Sequence, residues 1–570
     1  MNYLHISKLT KQQSESDYYL GPWCIEMNNI DDIDKTIVDG NMTAEEQREI
    51  ADYTYSISKK IIPILARTLN DYHNKNFSDE FWEIILITWV NSLSDYIYFY
   101  YVSLKRTDIL NIKMVVDTDE GVAYSSMEEL RMNYHNQDFI HSTISFLINN
   151  MDVKNIFSKK SLLINTNLPL IKKSFMKELG KKIIYKFLNN KKSRILLYYG
   201  NPVFNTLIEM IKIRMFNKNI SFSYKSTYIT SNNDIPSLKI KYVCKNEFEN
   251  LVIRYIEKYM PKSLLQDFSF HLENSLDYIN KNIIIPSPGF YQDLQLIEIG
   301  LAKEYNDASI VFLQDGAYEI YSVIPEARLY YKVCDNFLTW GYESHYGENN
   351  LFIKTCDYVW QGELNSHKSE FDVILYQTRY TYFYGAPLFM QTPRNFKDYI
   401  IRRVEFIKSI NKTKYKNNLI LKFRKSKDVN YDEKKLMDSF RIDYNLYNDY
   451  NLKIKNCKLL YVDYPSSAMY IAIVYNTPFI FSFDWRMAKL EPNMDKHMQK
   501  LEKLGLLFSN PVDAANKIAH IMNDLDFFWK NKNIQDMREA FMKEFLIQDN
   551  NCGKKVIEAL NNLNMLKLQN

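Results

Sequence analysis

Short runs of consecutive apolar residues, each closed by a turn signal and followed by helical spacing, recur along this chain. The run 459–462 ends at Asp463-Tyr464-Pro465, the apolar stretch 468–475 ends at Asn476-Thr477-Pro478, and a second run, 479–483, follows. Such runs predict strands buried on both faces, which is how parallel strands read. Ser466 stands where it would cap the intervening helix, and Asn476 with Pro478 stops it. Residues 193–200 predict another strand, closing on Gly200-Asn201-Pro202 ahead of a helix over 204–215, and 282–286, 309–313, 373–376 and 418–423 supply further short runs. The alternation predicts a doubly wound α/β architecture. Before residue 113 the pattern is different: 44–70 and 78–105 carry helical periodicity with few strand signals, and 139–188 again reads as helical. The helices 512–523 and 536–546 are amphipathic and are expected to pack across both domains.

Composition narrows the function classes. A chain of 570 residues exceeds what one core normally holds, so two large domains are expected. With 46% hydrophobic and 25% charged residues, global disorder is excluded. The net charge of +4, from 72 basic against 68 acidic residues, is too near balance for a nucleic-acid partner. The six cysteines contain no C-x-x-C pair, which argues against a zinc site or a disulfide framework and for reduced thiols. No secretory signal opens the chain, so a cytoplasmic protein is expected. The most apolar stretch, 81–104, is interrupted by Glu83, Asn91 and Asp95, which predicts a buried amphipathic helix rather than a membrane span. The basic 154-194 region, with Lys159-Lys160, Lys172-Lys173, Lys181-Lys182 and Lys191-Lys192, reads as a solvated face. Its functional alternative is a peripheral contact with anionic lipid at the inner face of the cell membrane, or with a phosphorylated acceptor.

Candidate chemistry concentrates at strand ends. A helix N-terminus beside the hydroxyls of Ser466 and Ser467, beyond the carboxyl end of a strand, is where phosphate binds in open α/β sheets. Arg424 and Lys422, at the end of another strand, are cations of the kind that reach a phosphate. The strand 311–313 delivers Asp315 into the turn Gln314-Asp315-Gly316, where a carboxylate is placed to accept a proton from an attacking hydroxyl. Gln314, Gly316, Tyr318, Glu319, Trp340, His345, Asp463 and Tyr470 are expected to line the same cleft. Of the strings Asp32-Ile33-Asp34, Asp117-Thr118-Asp119 and Asp524-Leu525-Asp526, only the second follows a strand-like run; all three read as solvated acids, so no metal site is assigned and no cofactor is expected. The chain has no P-loop, G-x-G-x-x-G, H-E-x-x-H or G-x-S-x-G motif.

The segment from Asp463 to Ser467, its helix and the return strand Asn476-Thr477-Pro478-Phe479-Ile480 resemble the C-terminal motif of GT-B transferases of the CDP-glycerol glycerophosphotransferase and capsule-polymerase type, whose serines hold donor phosphate. More closely, the chain resembles a transferase family of bacterial O-antigen and surface-carbohydrate loci. The resemblance runs through Leu20-Gly21-Pro22-Trp23-Cys24, Phe81-Trp82, Thr88-Trp89, Gln314-Asp315-Gly316 with Tyr318, Asp335 with Phe337 to Gly341, Leu504 to Leu507, and Phe528-Trp529. It implies a GT-B-like fold, two Rossmann-like domains facing a cleft behind a helical N-terminal extension. The expected division is 1-125 for the extension, 126-320 for the acceptor domain, 321-530 for the nucleotide-donor domain and 531-570 for C-terminal helices. The implied activity is inverting, metal-independent transfer of a sugar from a nucleotide-activated donor, a CMP-linked acidic sugar, to a glycan or lipid-linked acceptor. Ser466, Ser467 and Arg424 would hold donor phosphate, and Asp315 would act as base where the family pattern carries a His. Tyr470 stands where that pattern carries a Glu. A glycerophosphate-type transferase and an inactive glycan-binding relative are the alternatives.

Overall fold

The computed structural model describes residues 2–9, 18–25, 34–37, 44–109, 114–118, 126–132, 136–159, 188, 192–198, 207–223, 238–287, 292–314, 316, 325–343, 352–355, 371–376, 396–415, 419–422, 433–446, 457–487, 492–547 and 552–569. Three sheets organise them, and every pairing between their strands is parallel. The first contains β1 (Asn2–His5), β2 (Tyr18–Tyr19), β3 (Met114–Asp117) and β4 (Ile156–Lys159) in the order β2-β1-β3-β4. The middle sheet contains β5 (Ile195–Tyr198), β6 (Ile220–Ser223), β7 (Ile283–Ile285), β8 (Ser309–Leu313), β9 (Asn336–Thr339) and β10 (Phe352–Lys354), ordered β10-β9-β8-β7-β5-β6. The third contains β11 (Phe371–Tyr376), β12 (Leu419–Lys422), β13 (Asn445–Leu446), β14 (Cys457–Val462), β15 (Phe479–Ser482) and β16 (Leu507–Phe508), ordered β13-β12-β11-β14-β15-β16. The fold is α/β with two Rossmann-like units behind a largely helical N-terminal region, as expected. The third sheet has the strand order of the dinucleotide-binding fold, and the middle one that of the flavodoxin type.

Both faces of the middle sheet are apolar because both are covered. Ile195, Leu197, Ile283, Ile285, Val311, Leu313 and Leu338 share one cluster with Val556 and Leu560 of the C-terminal helix Cys552–Gln569. The alternate residues Leu196, Ile284, Ile310, Phe312 and Phe337 belong to the main core. That helix also reaches the sheet through polar groups, Asn282 Nδ2 donating to Asn564 Oδ1 at 3.1 Å and Lys567 pairing with Asp307. The preceding helix, Lys532–Phe545, packs instead on the helix Ser467–Val474 of the third sheet.

Two expected boundaries are corrected. The boundary at residue 320 cuts the middle sheet, since β9 pairs with β8 and β10 with β9; the division falls between Lys354 and Phe371. The N-terminal region runs past residue 125, because β4 joins β3, and it holds a small sheet as well as helices. Its strands are two to four residues long, too short to stand out among the helical periodicities around them.

The apolar stretch 81–104 lies in the helix Asp79–Ile109, paired with the helix Ala44–His73. It is buried on nearly every side rather than on one face. Asp95 is accommodated by hydrogen bonds from Thr54 Oγ1 and from Asn91 Nδ2, the latter at 3.0 Å. No helix among the described residues is long and apolar enough to cross a membrane. Most of the basic 154-194 region lies outside the described residues.

Asp293 joins the N-terminal region to the middle unit. It opens the helix Asp293–Asn306, is fully buried, and accepts from Met127 N at 3.0 Å, Glu128 N at 3.2 Å and the Ser263 hydroxyl. Burial outweighs these donors and lifts its carboxyl to about 6. The folded state therefore holds this proton more tightly than the unfolded chain does. Its stabilising contribution is full below the unfolded value near 3.8 and is lost as pH rises through about 6. Denaturation of the wild type and Asp293→Asn side by side should show the difference moving in favour of the variant between pH 4 and 6, by at most ~3 kcal/mol, and levelling above. A difference independent of pH would contradict this assignment.

Candidate active site

In the third sheet the chain moves outward from β11 to β12 and β13, then returns to β14 and continues through β15 and β16. The order reverses between β11 and β14, and the crevice at the carboxyl ends of two such strands is where open α/β sheets bind ligands. The turn after β14 stands at that place. Ser466 is extended, φ −146° and ψ 173°, and its Oγ accepts from Ala468 N at 3.3 Å, capping the helix Ser467–Val474. Both serines are half-buried. The helix is apolar throughout because it lies between its sheet and the Lys532–Phe545 helix. Its far end is satisfied by Arg538 Nε, 2.7 Å from the Ile473 carbonyl, and the chain leaves through Asn476 at φ +55°.

Asp463 does not line an open cleft. Its side chain is buried, accepts from Arg403 Nε at 2.8 Å and from the Tyr399 hydroxyl at 3.1 Å, and so starts the turn from a fixed point. Arg403 also stacks over the Tyr399 ring, 4.5 Å from its centroid, and Tyr399 meets Tyr464 of the turn edge-on. Sequence reasoning missed both partners. The signal was present: in the helix Phe396–Ile410, Arg403 falls on the stripe of Phe396, Ile400, Ile407 and Ile410, and a charge on a core-facing stripe needs a buried partner.

The turn after β8 is placed by Gln314. Its amide nitrogen continues the pairing to the Leu338 carbonyl at 3.0 Å, Oε1 accepts from Trp340 N at 2.8 Å, and Nε2 donates to the Gly316 carbonyl at 3.0 Å. Gln314, Gly316, Trp340 and Tyr470 are all buried, so they form the floor beneath the turns rather than an exposed cleft wall. Trp340 and Tyr470 pack on each other across the two units, ring centroids 5.0 Å apart. Beside them Ile547 N donates to the Trp340 carbonyl at 2.7 Å, and Gly341, at φ +150°, bridges to Leu546 so closely that a Cβ would stand 2.9 Å from the Ile547 nitrogen. Gln314 and Ser466 are thus tied to one junction, because Gln314 holds Trp340 and Tyr470 lies one turn into the helix that Ser466 caps.

Asp315, Tyr318, Glu319, His345 and Arg424 lie outside the described residues, and so does the side chain of Lys422. Of the paired acids, Asp524 caps a helix through Phe527 N, Asp526 pairs with Lys530 and Asp34 with Lys397. Among the described residues no three His, Cys, Asp or Glu side chains gather as metal ligands. Cys24, Cys244, Cys334 and Cys457 are free thiols, all buried except the half-buried Cys244.

A sequence model of the LIC12162 family transferase matches residues 4–560. The chain belongs to that family. No curated protein is similar enough in sequence to count as a match. Among solved structures, this transferase is similar to Anabaena HepE in complex with UDP and glucose, at 10% identity over 65% of this chain and 99% of that one, with a TM-score of 0.34. It is also similar to a variant of Thermobaculum terrenum O-GlcNAc transferase, at 10% identity over 93% and 99%, TM-score 0.33, and to Acinetobacter baumannii MurG, at 9% over 65% and 99%, TM-score 0.31. At such scores these likenesses say nothing about the chemistry of this transferase.

The buried pair gives a direct test of the turn's foundation. Arg403→Met leaves the Asp463 carboxylate buried and unpaired and should cost about 3–5 kcal/mol, seen as a lower melting temperature. Adding Asp463→Asn removes the stranded charge and should recover much of that loss. A double variant no more stable than the single one would show that the pair is not what holds the turn.

Proposed function

We propose that this transferase moves a sugar from a nucleotide-activated donor to a glycan or lipid-linked acceptor, inverting the anomeric centre in the manner of a GT-B enzyme of surface-glycan synthesis. The observation that carries the reading is the junction of Trp340 with Tyr470, which ties the turn after β8 in one Rossmann-like unit to the phosphate-type turn after β14 in the other. A donor at the crevice of the third sheet would meet an acceptor held by the middle one.

In this mechanism Ser466, Ser467 and the free N–H groups of their helix hold donor phosphate, with Arg424 assisting. The helix dipole and cations stabilise the charge on the departing phosphate, the role that other transferases give to a divalent ion. Asp315 removes the proton from the acceptor hydroxyl as it attacks the anomeric carbon, and the nucleotide leaves from the opposite face. A CMP-linked acidic sugar is the proposed donor and the cytoplasm the proposed site, with the basic 154-194 region against the inner face of the membrane.

A thermal-shift screen with CMP, CDP, UDP, GDP and their sugars identifies the donor class. For the ligand that binds, Ser466→Ala/Ser467→Ala should weaken affinity by roughly 1.5–3 kcal/mol per lost charge-assisted bond, while the lost Ser466 cap lowers the stability of the unliganded protein by only about 1 kcal/mol. Unchanged affinity would remove these serines from the donor site. Asp315→Asn keeps the turn but not the proton acceptor, so the transfer rate should fall by on the order of 10²–10⁴ at nearly constant donor affinity. Turnover at the wild-type rate would make Asp315 a turn residue only.

A further inference from the structure

The carboxyl edge of β14 and β15 carries polar groups that the serine turn does not use. The Phe396–Ile410 helix crosses this edge, with Phe406 stacked on Tyr461 at a centroid distance of 3.5 Å and Arg403 holding Asp463 one turn closer to the strand ends. Its neighbour Arg402 is half-buried, and its Nη2 is sealed from solvent without a hydrogen-bond partner. Ser482, 2% exposed, ends β15, and the register of Val462 with Phe481 puts it beside Asp463. Its hydroxyl lies near the Tyr461 phenol but has no hydrogen-bond partner. Three residues on, the 8% exposed Trp485 keeps a third buried donor, Nε1, without a partner.

Burying an unsatisfied donor is costly, and more so when it carries charge. The charges here do not cancel. Arg403 and Asp463 neutralise each other, and burial with the Asp463 carboxylate holds the Tyr461 phenol above the usual tyrosine range, so it stays neutral. Arg402, whose field also reaches Tyr461, remains as a single positive charge. The missing group is therefore an anion with oxygen acceptors. It sits apart from the serine turn: the crossovers from β11 to β12 and from β14 to β15 run in opposite directions, and right-handed connections place their helices on opposite faces of the sheet.

We infer that Arg402 and Ser482 form an anion subsite at this edge that takes a second anionic group of the donor, beyond the phosphate on Ser466 and Ser467. The inference rests on the donor site proposed above. A second phosphate and a sugar carboxylate share the required chemistry, since each offers a guanidinium two anionic oxygens.

Affinities of the full-length protein for CMP, CDP and CMP-N-acetylneuraminic acid, with UMP and UDP or GMP and GDP if another base binds better, decide the matter. Arg402→Gln should weaken the two-anion ligand by about 10–100-fold more than the monophosphate. Arg402→Lys should recover part of the loss, and Ser482→Ala should show a smaller loss for the same ligand. Selective loss on the diphosphate assigns a phosphate, and on the sugar acid a carboxylate. Melting temperatures of the unliganded variants, with the small Ser482→Ala change as the second probe, separate misfolding from lost contact. If the serine double variant loses binding while neither Arg402→Gln nor Ser482→Ala shows selectivity, the subsite is wrong and the donor site stands. If the serine variant binds normally, the donor site itself is wrong.

Discussion

Parallel pairing is the constraint from which the rest of this molecule follows. A parallel strand cannot return through a tight turn, so each connection crosses a face of the sheet, usually as a helix, and both faces become buried. The same constraint gathers chemistry at one edge. Every strand of a sheet ends on the same side, helices start there, and their free N–H groups point beyond the strand ends. In the third sheet this brings the Asp463–Ser467 turn, Ser482 and the first turns of the Phe396–Ile410 helix to one edge.

That edge is rigid where it is charged. Asp463 leaves β14 into a hydrogen-bonded pair with Arg403, and Tyr399 closes the arrangement from the same helix. The turn that presents Ser466 therefore begins at a residue whose position is set by a second element, not by the flexibility of a loop. Trp340 and Tyr470 do the same between units, using ring packing and the backbone bridge at Gly341 in place of charge. Positioning of this kind is what group-transfer chemistry needs, because geometry supplies much of the rate.

Much of this was legible in the sequence where the signal was local. The apolar runs of β5, β8, β14 and β15 and the cap at Ser466 were read from neighbouring residues alone. What escaped depends on distant pairing. β9 and β10 are short, and only the pairing of β9 with β8 and of β10 with β9 assigns them to the middle sheet. β1 and β3 pair although more than a hundred residues separate them. Trp340 and Tyr470 were expected at a cleft wall and are buried instead, because an aromatic in an apolar stretch reads the same whether it faces a ligand or another domain. Arg403 was visible as a charge on an apolar stripe, but its partner, sixty positions away, was not.

The C-terminal helix has a consequence for how the chain assembles. One face of the middle sheet is closed by Val556 and Leu560, which are added more than two hundred residues after β9 is complete. During synthesis that face is covered only in part, by Met210 and its helix Leu207–Phe216, while the whole third unit is being made, and parallel sheets with such long-range contacts form slowly. The middle unit is thus the first of the two Rossmann-like units to be translated and the last to be finished. A nascent chain stalled before residue 556 presents a sheet with one apolar side left incompletely covered, a surface that holdase chaperones or unwanted self-association would meet first.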